Sequence, residues 1–226
     1  MASKTSHRVS SRSTPLVSRT KMVWGALVGA MLVVGGGLTV LNGGSPGGAV
    51  NGLALTPLAQ TTGATSLESV FNTRAPLDTG RWQAIVLHDS GRPVGTPESV
   101  RDRHRAMGLN GLGYHFLVGN GAGMDAGAIH VGYRWLDQTP GAHVAGVNGD
   151  AYNAASVGVC LIGDGDRRSF DESQLRSAAR LVATLADRLG LPTDAVLLHS
   201  ELAETSSPGR LFPRAAFLEL VEAYRD

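Results

Sequence analysis

The stretch AIVLHDS, Ala84 to Ser90, decides how the rest of this chain reads. Four apolar residues run straight into a histidine, an acid and a serine. A run this short and this continuously apolar is that of a buried strand. Two more runs share the design: SVGVCLIGD (Ser156–Asp164), and DAVLLH (Asp194–His199), which also ends on a histidine. GYHFLVG (Gly113–Gly119) and Ala128–Trp135 complete a set of five expected strands.

Helical segments lie between them. Thr96-Pro97-Glu98 places a cap residue, a proline and an acid at a helix start, and the helix is expected to run to about Met107, with Gly108 ending it. In DESQLRSAARLVATLADRLG, Leu175, Ala178, Leu181, Val182, Leu185 and Leu189 recur at helical spacing before Gly190 closes the segment. Arg214–Arg225 reads as a last helix. Strands interleaved with helices predict an α/β fold, a central mixed β-sheet flanked by helices, preceded by an N-terminal transmembrane anchor.

The anchor is expected over Met22–Leu41, twenty uncharged residues. At ~1.5 Å rise per residue such a helix spans a bilayer core. Lys4, Arg8, Arg12, Arg19 and Lys21 precede it, which predicts a cytoplasmic N-terminus and a domain outside the membrane. A cleaved signal peptide is the alternative; the long basic region and the lack of a nearby small-x-small site favour an anchor. The expected organisation is a basic tail over 1–21, the anchor over 22–41, a linker over 42–66 that includes the glycine-rich Asn42–Gly52, and a domain over 67–226. From Met22 onward, 15 of the 20 basic residues face all 19 acidic ones, so the domain is mildly acidic and shows no basic patch for nucleic acid. The single cysteine, Cys160, sits in an apolar run and reads as a core residue.

His88 and His199 each end an apolar strand, and strand ends are where sites form in sheets of this kind. Two imidazoles there can share a zinc ion. Either histidine alone reads equally as a hydrogen-bonded structural residue, and spacing does not bring the two together.

Four motifs in fixed order add specificity: IVLHDSG; GLGYHFLVGNGAG (Gly111–Gly123); GAHVAG followed by YNAASVGVCLIGD; and LLHSELAETSSPGRLFP. From about Ala84 to Pro213 the chain resembles the zinc-dependent N-acetylmuramoyl-L-alanine amidases and peptidoglycan recognition proteins. The resemblance implies that His88 and His199 are zinc ligands and that Ser207, before Pro208-Gly209, stands at the third ligand position. It implies that Tyr114 orients water or stabilises the oxyanion, that Thr205 helps hold the tetrahedral intermediate, and that His143 faces the substrate groove. His115 is expected on the opposite face of its strand as a core residue, His104 as structural, and His130 has no assigned role. A loop insertion is expected at Val147–Ala151.

The implied reaction is zinc-assisted hydrolysis of the amide between N-acetylmuramic acid and L-alanine, with peptidoglycan or muropeptide as partner. Ser207 departs from the family pattern, in which a thiolate or carboxylate supplies charge. Three outcomes stand open: water or a carboxylate such as Glu201 or Glu204 completes the coordination, Ser207 coordinates more weakly, or the groove binds muropeptide without catalysis. A structural envelope protein is a third class of reading.

Overall fold

The computed structural model describes residues 67–225. In chain order its elements are β1 (Ala84–Asp89), α1 (Pro97–Ala106), β2 (Phe116–Val118), β3 (Ile129–Val131), α2 (Tyr133–Leu136), α3 (Gly149–Ala155), β4 (Ser156–Leu161), α4 (Glu172–Leu189), β5 (Val196–Leu198) and α5 (Arg214–Ala223). The strands form one sheet in the order β3-β2-β4-β1-β5. β1 lies parallel to both β4 and β5, and β2 lies parallel to β4. β3 runs antiparallel on the edge beside β2. This is the mixed sheet flanked by helices that the sequence predicts.

The central strands carry continuous apolar runs because both of their faces are covered. On one face Ile85 and Leu87 of β1 and Val159 and Leu161 of β4 pack with Leu181, Val182 and Leu185 of α4. On the other, Cys160 and Ile162 meet Leu117 and Val100 of α1. Strand alternation puts His88 on this second face, in register with Cys160. The faces therefore divide the labour: one is a large apolar core, the other a thinner layer that ends in polar residues.

The helix signals act as their chemistry requires. Thr96 Oγ1 accepts from the Ser99 N–H at 3.1 Å while Ser99 Oγ accepts from the Thr96 N–H at 2.8 Å. Asp171 caps α4 by accepting from the Ser173 N–H at 2.8 Å, and Gly190 closes it in the left-handed region.

Two local expectations change. The run Ala128–Trp135 is a strand only over Ile129–Val131; Gly132 then caps α2, its carbonyl accepting from the N–H groups of Trp135 and Leu136 at 3.1 and 3.2 Å. The segment read as a loop insertion at Val147–Ala151 enters α3, which begins at Gly149.

The expected single-pass membrane location is also corrected. No helix among the described residues is long and apolar enough to cross a membrane. The longest, α4, has 18 residues but carries Glu172, Arg176, Arg180, Asp187 and Arg188, which a hydrocarbon core would not accept. The stretch Met22–Leu41 that carried the expectation, and the linker after it, lie outside the described residues.

Candidate active site

Parallel pairing assembles the site. Leu87 of β1 is in register with Leu198 of β5, so the residues that follow, His88 and His199, emerge side by side at the strand ends. Their ring centroids are 4.4 Å apart. Tyr114, just before β2, packs against His88 at 5.1 Å and against His104 at 5.0 Å.

His143 closes the cluster from beneath. Its Nδ1 lies 3.0 Å from His88 Nε2, and its ring is buried rather than turned to an open groove. Asn153 fixes the backbone there: Oδ1 accepts from the N–H groups of His143 and Val144 at 2.8 and 3.0 Å, and Nδ2 donates to the Val144 carbonyl at 2.8 Å. Gly158 on β4 makes room, since a Cβ at that position would sit 2.5 Å from His143 Cδ2. The Asn-x-x-Ser-Val-Gly motif is therefore the mounting of His143.

The loop after His199 forms the other wall. Ser200 N–H donates to the Ser207 carbonyl at 2.8 Å, which folds residues 200–207 back on themselves. Ser207 Oγ donates to Asp89 Oδ1 at 2.7 Å and accepts from the Asp89 N–H at 3.1 Å. Asp89 Oδ2 accepts from the Gly165 N–H at 3.1 Å. Gly209 has φ of +101° and presses on Gly165, a place for glycine alone. Thr205 is exposed at the loop tip, and its Oγ1 accepts from the Ser207 N–H at 3.2 Å. Glu201, a candidate for completing a metal site, is engaged elsewhere: it accepts from the Leu198 N–H at 2.7 Å and pairs with Arg214 at 2.8 Å. Glu204 is exposed.

Burial sets the charge state. It drives the pKa of His88 well below the ordinary histidine value, with His143 and His199 adding repulsion. Burial takes His143 to about 3. His199 is also lowered by burial, against an opposing pull from Asp89. Tyr114 is raised well above an ordinary phenol, first by burial and then by Cys160. At neutral pH the site thus presents three neutral imidazoles and one protonated phenol. The other two histidines of this region are tied into the fold. His115 Nδ1 accepts from the Gly158 N–H at 2.9 Å, and His104 Nδ1 from the Gly113 N–H at 2.8 Å.

Two ring nitrogens, His199 Nε2 and His143 Nε2, are buried without a hydrogen-bond partner. A dry unpaired polar atom is costly, by about 1–3 kcal/mol, and His199 Nε2 is the one of the two beside the His88 ring at the strand ends. Among the described residues no group of three or more His, Cys, Asp or Glu side chains is placed to hold a metal ion. Two histidine rings converge, and the Ser207 hydroxyl is hydrogen-bonded to Asp89, the residue after His88. Asp89 was not singled out from the sequence. Its only local signal was adjacency to His88; its partner lies 118 residues away.

Residues 78–210 match the family model for N-acetylmuramoyl-L-alanine amidase. The endolysin of Escherichia phage T7 is 31% identical over 135 residues, covering 55% of this chain and 79% of the phage protein. The endolysin of Klebsiella phage KP32 is 32% identical over 121 residues, covering 51% of this chain and 70% of its own length. Among solved structures, an endolysin amidase from Clostridium intestinale covers 66% of this chain and 89% of its own with a TM-score of 0.55; at 23% identity the likeness concerns the fold.

Proposed function

This chain belongs to the N-acetylmuramoyl-L-alanine amidase family and is a hydrolase of the amide joining N-acetylmuramic acid to L-alanine in peptidoglycan, and we propose that it works with a zinc ion held by His88, His199 and Ser207. The observation that carries the reading is the pair of histidine rings 4.4 Å apart with His199 Nε2 buried and unpartnered. Neutral imidazole is the form that binds metal, and burial keeps both rings neutral. With the hydrogen on His88 Nε2 directed at His143 Nδ1, the Nδ1 lone pair of His88 is left for a ligand.

A bound zinc ion supplies a Lewis acid that polarises the substrate carbonyl and acidifies its water. The chain's own residues do the rest. His143 orients His88 rather than touching substrate. Tyr114 keeps its proton and donates to the oxygen on which charge develops. Thr205 accepts from the Ser207 N–H, which leaves its hydroxyl hydrogen to donate at the exposed mouth. Muropeptide is the partner this mouth receives.

Incubation of the full chain with a muropeptide should release free peptide bearing a new L-alanine amine. A chelator should stop the release and zinc restore it. Tyr114→Phe should lower the rate by roughly 10²–10³-fold, as loss of one oxyanion donor does. Muropeptide binding without peptide release, with or without added zinc, would overturn catalysis in favour of recognition.

A further inference from the structure

The family's third ligand position holds a neutral hydroxyl in this chain, and a carboxylate sits directly behind it. We infer that Asp89 is the positioning residue that turns Ser207 into a metal ligand. It supplies, through one hydrogen bond, the negative charge that Ser207 itself lacks. The inference rests on the zinc reading above and adds a residue to it.

The hydrogen-bond inventory of Ser207 carries the case. A serine hydroxyl has one hydrogen and two lone pairs. The hydrogen goes to Asp89 Oδ1 at 2.7 Å, and one lone pair takes the Asp89 N–H at 3.1 Å. One lone pair remains. A hydroxyl whose hydrogen is given to a carboxylate carries more negative charge on oxygen, because charge-assisted bonds are short and strong and polarise their donor. The carboxylate is itself held, since Oδ2 takes the Gly165 N–H at 3.1 Å, which restrains it beside Ser207. Position agrees with chemistry. Asp89 follows His88 on β1, and the Ser207 carbonyl is bonded to Ser200, the residue after His199. The dyad is thereby tied to the residues that directly follow both histidines. Glu201 is turned to Arg214, so Asp89 is the acid in contact with the third position.

This differs from a mere staple between loop and strand, because a staple works whatever atom occupies position 207. A charge donor does not. With a thiolate at that position, the ligand brings its own charge and the carboxylate becomes a like-charged neighbour. The effect of neutralising Asp89 should therefore change sign with the residue at 207.

The test is zinc affinity of the full chain, read by competition with a chromophoric chelator, for six proteins: wild type, Asp89→Asn, Ser207→Ala, those two combined, Ser207→Cys, and Ser207→Cys with Asp89→Asn. Asp89→Asn and Ser207→Ala should each weaken zinc by roughly 10–100-fold, as loss of an outer-shell partner does. The combined variant should be no weaker than the poorer single one. In the Ser207→Cys background, Asp89→Asn should leave affinity unchanged or raise it. Thermal unfolding of each metal-free variant separates loss of fold from loss of ligand. Equal weakening by Asp89→Asn in both backgrounds would make Asp89 a staple and overturn the inference. So would wild-type affinity in Asp89→Asn, or an effect of Asp89→Asn that survives Ser207→Ala. Zinc binding that appears only with Ser207→Cys would overturn it too, while keeping the two-histidine site. No zinc binding in any of the six would instead remove zinc from the proposed function itself.

Discussion

His88 and His199 lie ring against ring, yet the molecule holds them by different means. His88 is at the end of a six-residue strand paired on both sides, is 1% exposed, and rests on Tyr114 and His143. His199 follows a three-residue edge strand, sits on a 3-10 turn, and is half-buried. What fixes the second half of the site is a chain of loop hydrogen bonds through Ser207, Asp89 and Gly165. The core half is built by packing and tolerates little. The loop half is built by a few polar contacts, so its chemistry can change without disturbing the sheet. Serine at position 207, on that loop, is open to a change of the second kind.

The largest expected effect separates the two halves directly. His88→Ala and His199→Ala should both abolish peptide release. Their stabilities should differ: His88→Ala removes a buried ring and orphans His143, and should cost about 2–4 kcal/mol in denaturant unfolding. His199→Ala should cost about 1 kcal/mol or less, since its side-chain nitrogen gives up no hydrogen bond. Equal losses would break the comparison.

Gly158→Ala is the next probe, and it acts only on the core half. The new methyl meets His143 at 2.5 Å, so overpacking should destabilise the domain by about 1–3 kcal/mol. It should also displace His143 from His88 and lower zinc affinity, while the loop bonds stay intact. Unchanged zinc affinity would remove His143 from its orienting role.

The same division predicts a pH dependence. Burial depresses the pKa of His88, His115 and His143, the last to about 3, whereas the unfolded chain titrates near ~6.5. Between those values the unfolded state binds more protons, so folding loses stability as the pH falls. The stabilisation is fully present above ~6.5 and declines as the pH falls, by about 1.4 kcal/mol per pH unit for each histidine held neutral, and for His143 the decline runs down to about 3. Unfolding measured from pH 7 to pH 4 should show a slope steeper than one group gives, and replacing His199 should change it less than replacing His143. A flat profile would mean that the core histidines are not held neutral.

The smallest effect concerns Glu201. Glu201→Gln removes a half-exposed pair with Arg214 and should change stability by about 1 kcal/mol or less, with zinc affinity unaltered. A clear loss of zinc would move Glu201 into the site.

Much of this was legible in the sequence, for physical reasons. The central strands β1 and β4 announce themselves because burial on both faces demands unbroken apolar runs, and α4 because its cap, spacing and closing glycine agree. The family motifs identify His88, Tyr114, His143 and His199 as one constellation. What stayed hidden depends on contacts across long separations. α2 and α3 were missed because Gly132 and Gly149 look like loop residues until the surrounding chain makes them helix starts. The burial of His143 follows from Gly158 and Asn153, neighbours in space supplied by β4 and the helix before it. Asp89 gave no sign of its bond to Ser207, because nothing local encodes a partner 118 residues on.

The most direct test of the site is the zinc content of the purified full chain by elemental analysis after equilibrium dialysis against micromolar zinc. Wild type should hold near-equimolar zinc and release peptide from muropeptide, and His199→Ala should hold none and release none. A wild-type chain that stays metal-free under those conditions, yet retains muropeptide without cleaving it, would contradict a working metal site at His88, His199 and Ser207.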